Sequence, residues 1–190
     1  MIIRPAASLE EVEQAHHIEK NCYSPETAAT PEAFRQRFEA FPSYFLIAEL
    51  HGAIVGVTNG VRLHKPDLAD ESIKQCRSFE SDGAHFCILT VAVDPRYLRR
   101  GIGSALVRHL LDQARKDRLE SVLLMCEEHL IPFYRSLGFR YVKLSASDHG
   151  GIRWHEMEQQ LAGRSDEPFV TVHGSPKKSG ETRAEPSKTS

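Results

Sequence analysis

The stretch from Val91 to Leu106 reads V-A-V-D-P-R-Y-L-R-R-G-I-G-S-A-L. It holds the residues best spaced to do chemistry. An apolar strand ends at Asp94-Pro95, and a short basic loop delivers Arg99, Arg100, Gly101, Ile102, Gly103 and Ser104 into an amphipathic helix. Glycine lets a backbone turn tightly and approach a ligand closely. The first turn of a helix leaves amides unpaired beside the positive end of its dipole, which makes a cradle for phosphate or pyrophosphate. Arg99 and Arg100 add positive charge around it. The same residues would also serve as a plain strand–turn–helix connection with a solvated basic edge.

Two nucleotide-binding patterns are excluded. A Walker A loop needs G-x-x-x-x-G-K-S/T, and no lysine follows Gly103; the dinucleotide fingerprint needs a third glycine where this chain has Leu106. What remains resembles the coenzyme A pyrophosphate loop of the GNAT acyltransferases, Q/R-x-x-G-x-G/A, with Leu98 standing where that pattern has Gln or Arg. A second stretch narrows the resemblance. Leu124-Met-Cys-Glu-Glu-His-Leu-Ile-Pro-Phe-Tyr-Arg-Ser-Leu-Gly-Phe139 is similar to the L-M-C-E-D-x-L-V-P-F-Y segment of the serotonin (arylalkylamine) N-acetyltransferases. Ile18-Glu19, Leu89 to Val93, Gly101-Ile-Gly103 and Glu156-Met157 fall in the same order, so the similarity runs over roughly residues 2–161. P-F-Y-x-x-x-G-F is shared by many GNAT enzymes, and the L-M-C-E addition carries the narrower assignment.

The resemblance implies transfer of an acetyl group from acetyl-CoA to the primary amine of a small arylalkylamine, by direct attack in a ternary complex. An alkylamine has a pKa of about 10, so it arrives protonated and must lose a proton before attacking. The departing thiolate, with a cysteine-like pKa of about 8.5, benefits from an acid. Tyr134 occupies the family's tyrosine position and is the expected acid. Acetyl-CoA is expected on Leu89, Val91, Ala92, Val93, Arg99, Arg100, Gly101, Ile102, Gly103, Ser104 and Tyr134, with β-strand amides from Val91 to Val93 polarising the carbonyl. Vertebrate members place two histidines on the strand before the loop, and here those positions are Cys87 and Leu89. His85, two residues before Cys87 on the same strand face and displaced by roughly 6.5–7 Å, is a candidate base acting through a water, with water chains serving the free-base fraction of the substrate as the alternative. Glu26 and His155 are further candidates. Tyr23, Met125 and Trp154 match the family's aromatic-amine pocket, an arrangement that would hold an aromatic ring or attract a cation. Glu19, Glu26, Glu127 and Glu128 keep a polyamine acceptor open. Acetylation of a protein N-terminus or lysine, and a CoA-binding module without turnover, are the other readings.

Composition sets the bounds. The chain has 190 residues, 41% of them hydrophobic, and a net charge of −2, enough for a single packed core and without the basic excess of a nucleic-acid binder. No apolar run approaches the roughly 20 residues of a membrane span or forms a signal peptide, so a cytoplasmic enzyme acting on a small molecule, away from membranes, is expected. A monomer is expected. Ten histidines invite a metal, but there is no H-E-x-x-H, and His16-His17 project from different sides of a helix, so none is expected. Cys22, Cys76, Cys87 and Cys126 form no C-x-x-C pair and read as reduced thiols.

The elements that must position these residues alternate between strand and helix. Residues 1–162 read as one N-acetyltransferase domain of α/β class, a central mixed twisted sheet flanked by helices, which is the GNAT arrangement. Residues 163–190, rich in Ser, Pro, Gly and mixed charge, read as a flexible tail through which a partner could bind. Ile2 to Pro5 is a first strand. Ser8 with Glu11 forms a capping box opening a helix to about Asn21, and Pro31 starts a second helix with Phe34 and Phe38 on one face. Tyr44–Leu50 and Ala53–Val57 form a hairpin around His51-Gly52. Residues 64–82 are polar and read as a surface excursion. Phe86–Val93 and Ser121–Cys126 are buried strands, and Leu106, Val107, Leu110, Leu111 and Ala114 stripe the helix between them. A short helix ends at Leu137-Gly138, and Phe139–Leu144 with Ile152–Met157 closes the sheet.

Overall fold

A computed structural model describes residues 1–161; the expected tail from residue 163 lies outside them. In chain order the elements are β1 (Ile2–Pro5), α1 (Leu9–Cys22), α2 (Pro31–Ala40), β2 (Leu46–Leu50), β3 (Ala53–Leu63), α3 (Glu71–Lys74), β4 (His85–Val93), α4 (Ile102–Lys116), β5 (Ser121–Cys126), α5 (Ile131–Ser136), β6 (Arg140–Leu144) and β7 (His155–Gln160). The strands make one seven-stranded sheet in the order β1-β2-β3-β4-β5-β7-β6. Every neighbouring pair is antiparallel except β4 and β5, which run parallel with α4 as the crossover. This is the mixed sheet flanked by helices that the sequence implies.

Both faces of the sheet are covered, which is why its central strands read as unbroken apolar runs. On one face Val12, Ala15 and Ile18 of α1 and Phe34 of α2 pack with Phe45, Ile47, Val57 and Ala92. On the other, Leu106, Val107, Leu110, Leu111 and Ala114 of α4 pack with Leu46, Ala48, Val55 and Phe86. The Ser8 hydroxyl accepts from the Glu11 amide as the capping box requires, but the Glu11 carboxylate bonds the Ala7 amide and Arg4 in place of Ser8.

The pairing of β4 decides where a site can form. It matches β5 only over His85–Ile88 against Ser121–Leu124, whereas it stays paired with β3 as far as Val93. From Leu89 to Val93 the β5 side of β4 therefore has no strand partner among the described residues. A bulge in β4 also makes Leu89 an extra residue, so that Thr90 pairs with Asn59 and Ile88 with Gly60 of β3. Gly60 is obligatory there, since a Cβ would lie 1.9 Å from the Cys87 carbonyl oxygen.

Three expectations are corrected. The hairpin's first strand starts at Leu46, because Pro42 nucleates a 3-10 turn that includes Tyr44. The last strand runs from His155 to Gln160, three residues later than expected, leaving Ile152–Trp154 as irregular chain. The segment 64–82 is more than a surface excursion: Leu68, Ile73 and Cys76 are buried in the larger core cluster, and α3 forms within it. Isolated apolar residues in a polar stretch carry no periodic signal.

Candidate active site

The site has two halves, on either side of the unpaired edge of β4. The first is the start of α4. Asp94 ends the strand, its amide bonding the Val55 carbonyl and its carboxylate capping the Arg96 amide and pairing with the Arg96 guanidinium. The chain then rises through Arg99 and Gly101, at φ 61° and 76°, into the helix. Gly101 is the N-cap and offers no side chain to the helix amides, so those amides remain free for an anion. The left-handed conformation at Gly101 favours glycine, while Arg99 adopts it at a cost. Arg96 and Arg100 flank the Tyr97 ring at 5.8 and 5.3 Å. Ile102 points into the core, so it serves the helix start through its main chain alone.

Gly103 ties this loop to the rest of the site, since a Cβ built on it would lie 3.7 Å from both Val93 and Phe133. The residue after Phe133 is Tyr134, which is buried, with Phe133 and Phe139 edge-on to its ring at 4.9 and 5.7 Å. Burial, with smaller contributions from Tyr23 and Cys126, pushes the Tyr134 hydroxyl well above its usual range, so it remains protonated. On β4 the Tyr23 hydroxyl bonds the Val91 main chain, and the Cys22 thiol donates to the Val93 carbonyl at 3.2 Å. The Ala92 side chain faces α1, away from this edge.

The second half is a cavity of about 330 Å³ under the 23–30 loop. Tyr23, Met125 and Trp154 all line it, as does Leu89, which the sequence reading had assigned to the cofactor. The loop is pinned to α1 at Ala29, whose amide donates to Glu19 Oε1 and whose carbonyl faces His16 Nε2, both at 2.8 Å. The opposite wall comes from α3 and the chain before β7. There Lys74 Nζ bonds Glu71 and Ser147, His149 Nδ1 bonds Glu71, and the Trp154 indole donates to the His149 carbonyl.

Two charged side chains of this cavity are buried: Glu19, which the sequence offers as one of four acids for a polyamine acceptor, and Arg37, which sequence reasoning did not single out. Glu19 is 2% exposed and Arg37 is 3% exposed. Burial raises the Glu19 carboxyl against the opposing effects of the Ala29 amide and nearby cations, and lowers Arg37 to about 10. Arg37 Nη1 donates to Asn59 Oδ1 at 3.0 Å and Thr90 Oγ1 at 3.2 Å, and Nη2 donates to the Lys74 carbonyl. Glu19 Oε2, Arg37 Nε and Asn59 Nδ2 are buried with no partner among the described residues. A signal for both was present. Glu19 follows Ala15 by four residues and Val12 by seven, and Arg37 follows Phe34 by three, so each stands on its helix's buried stripe.

The expected bases fall elsewhere. His85 lies at the start of β4, with Nδ1 2.9 Å from Ser121 Oγ and Nε2 3.8 Å from Glu120, and it does not line the cavity. Its strand face is the right one, but β4 is still paired to β5 at that level and leaves no cleft beside it. His155 faces Tyr141 across 3.4 Å, outside the cavity. Glu26 reaches the cavity rim but is solvent-exposed, while Glu127 and Glu128 are not among the lining residues. Among the described residues no group of His, Cys, Asp or Glu clusters as metal ligands would, and no helix is long and apolar enough to cross a membrane.

Comparison with known proteins agrees with this geometry. The sequence pattern of the Acetyltransferase (GNAT) family matches residues 12–139. The N-alpha-acetyltransferase RimI of Mycobacterium tuberculosis is 29% identical over 125 residues, 62% of this chain and 70% of that protein. The N-acetyltransferase ycf52 of Porphyra purpurea is 27% identical over 77 residues, and the match spans only 44% of its length and 40% of this chain. Among solved structures, the loading GNATL domain of CurA from Lyngbya majuscula superposes with a TM-score of 0.73 at 17% identity, covering 84% of this chain and 97% of that one; this likeness is one of fold.

Proposed function

The chain belongs to the acetyltransferase (GNAT) family, and from that premise we propose that it moves the acetyl group of acetyl-CoA to the primary amine of a small arylalkylamine. The observation that carries the choice of acceptor is the cavity beside the unpaired β4 edge, enclosed by the 23–30 loop and walled by Tyr23, Met125 and Trp154. Its volume of about 330 Å³ falls at the lower end of the roughly 300–1,000 Å³ typical of small-molecule sites. Aromatic and thioether walls suit a ring with an amine-bearing arm.

The residues divide the work. The uncapped start of α4 at Gly101, with Gly103 and Ser104 following and Arg99 and Arg100 beside it, takes the pyrophosphate. The unpaired edge of β4 at Leu89, Val91 and Val93 takes the pantetheine arm by main-chain hydrogen bonds, as a further strand would. The Val91 amide is the donor for the thioester carbonyl. Acetyl-CoA supplies the activated acetyl group, and Tyr134 donates a hydrogen bond to the sulfur as negative charge gathers there. A phenol held protonated by burial is suited to that donation.

A second reading, acetylation of a protein N-terminus, is favoured by the similarity to RimI. A thiol-release assay separates the two, with acetyl-CoA offered against tryptamine, serotonin, phenethylamine, spermidine and a peptide bearing a free N-terminus. We expect kcat/KM for the arylalkylamines to exceed that for the peptide and for spermidine at least tenfold. Preference for the peptide would move the acceptor to proteins, and preference for spermidine would move it to polyamines. Acetyl-CoA binding with no turnover of any amine would defeat the enzymatic reading.

A further inference from the structure

We propose that Glu19 receives the ammonium group of the acceptor in the cavity and takes its proton, so that the amine is released as a nucleophile beside Val91. This rests on the N-acetyltransferase reading of the site but not on the acceptor's being an arylalkylamine.

The two oxygens of Glu19 differ. Oε1 accepts from the Ala29 amide at 2.8 Å and so holds the loop that roofs the cavity. Oε2 is buried and has no partner among the described residues, although Glu19 lines the cavity. A buried carboxylate oxygen left without a partner is costly, by several kcal/mol as an order of magnitude. His16, Arg37 and Lys20 offset part of the cost through space, but among the described residues no cation bonds Oε2. Arg37, the other buried charge of the cavity, is bonded to the neutral Asn59, Thr90 and Lys74 carbonyl. A primary ammonium entering the cavity would supply the missing donor.

Position and chemistry agree. Glu19 lies on the last turn of α1, and Cys22 and Tyr23, at the end of the same helix, reach the main chain of Val93 and Val91. The charged and titratable groups facing Glu19 are His16, Lys20, Cys22 and Tyr23 from its own helix end and Arg37 from α2. Burial outweighs the cations among them and moves the carboxyl upward, toward the range in which a general base works at neutral pH. The step balances. The N–H bond of the ammonium breaks and its proton goes to Oε2; the freed lone pair forms the C–N bond as the C–S bond breaks. The sulfur leaves with its electron pair and takes a proton from the Tyr134 hydroxyl; the second N–H proton of the attacking nitrogen returns to that phenolate, and the proton on Glu19 passes to solvent, so the products are the amide, CoA thiol and one released proton.

Glu19→Gln tests this cleanly, because a glutamine keeps the acceptor for the Ala29 amide while removing the charge and the proton acceptor. The assay uses whichever amine the wild-type enzyme turns over best, from pH 5.5 to 9.5. Wild type should show a plateau in kcat/KM across neutral pH. In Glu19→Gln, kcat/KM should fall about 100-fold at pH 7 and climb about tenfold per pH unit toward the pKa of the amine, since only free base then reacts. Glu19→Asp, which keeps the carboxylate, should retain the plateau at reduced height, and it carries the test if the glutamine variant does not fold. A Glu19→Gln enzyme within threefold of wild type, with a parallel pH profile, would overturn the proposal while leaving the acceptor assignment intact. A wild-type preference for peptide or polyamine would remove the acceptor assignment and leave the role of Glu19 to be read on that amine.

Discussion

The Tyr23 hydroxyl donates to the Val91 carbonyl at 3.1 Å and stands 3.5 Å from the Val91 amide, closing the β4 edge with a side chain from the end of α1. Burial pushes this phenol up to about 12, so it is neutral across the working range. The amide it covers is the one proposed to hold the thioester carbonyl. A ligand on that amide must displace the hydroxyl, at a cost of about 0.5–1.5 kcal/mol for one net hydrogen bond. Tyr23→Phe should therefore tighten acetyl-CoA binding about threefold or more, read as Kd by calorimetry. Unchanged or weaker binding would show that Tyr23 and acetyl-CoA do not compete.

Tyr134→Phe keeps the ring between Phe133 and Phe139 and removes only the hydroxyl. General-acid contributions of this kind are about 10²–10⁴. The expected outcome is a kcat about 100-fold lower with the Kd for acetyl-CoA unchanged. A variant that loses binding in parallel with rate would mark Tyr134 as a packing residue.

Arg37 holds three elements together, joining α2 to Asn59 of β3, Thr90 of β4 and the Lys74 carbonyl of α3. Arg37→Met leaves those acceptors buried and unpaired while relieving the cost of a buried charge. We expect a net loss of about 2–4 kcal/mol, a fall in Tm of roughly 5–15 °C by calorimetry. No fall in Tm would mean that water replaces the guanidinium.

Glu11 reports on the first strand and helix. Hydrogen bonds from Arg4, then from the Ala7 amide, hold its carboxyl at about 2. Because the folded value lies below the unfolded one, its contribution is present above about pH 4.5 and is lost as pH falls toward 2. The pair is partly exposed, so the effect is on the order of 1 kcal/mol. In urea unfolding, Glu11→Gln should be less stable than wild type at pH 7, and most of that difference should be gone near pH 2, where about half of the folded-state carboxyls are protonated. A difference undiminished at pH 2 would show that the carboxylate charge is not its source.

Much of the scaffold was legible in the sequence because it rests on local rules. The stripe from Leu106 to Ala114, the capping serine at position 8 and the apolar run of β4 each follow from spacing within one element. The glycine loop before α4 was legible for the same reason, since turn, helix start and charge are neighbours in the chain. Trp154 and Met125 came from resemblance, and the structure brings both, with Tyr23, to one cavity. The 64–82 segment was misread because Leu68, Ile73 and Cys76 are buried by distant partners and show no period of their own.

The choice of proton acceptor was beyond sequence reasoning. His85 has the right chemistry and the right strand face, yet the level at which β4 parts from β5 leaves it outside the cavity. Glu19 reads from the sequence as one of four acids open to an amine, and only the 23–30 loop, which folds over it and binds one of its oxygens, sets it apart from the others. The sequence by itself determined most of the strands and helices, the glycine start of α4, and which residue types are available for chemistry. Only the tertiary structure decided which of them share a cavity and which are stripped of water. Burial and the pKa shifts it causes depend on atoms remote in the chain; spacing puts Glu19 on the buried stripe of α1 but gives neither its cavity nor its partners.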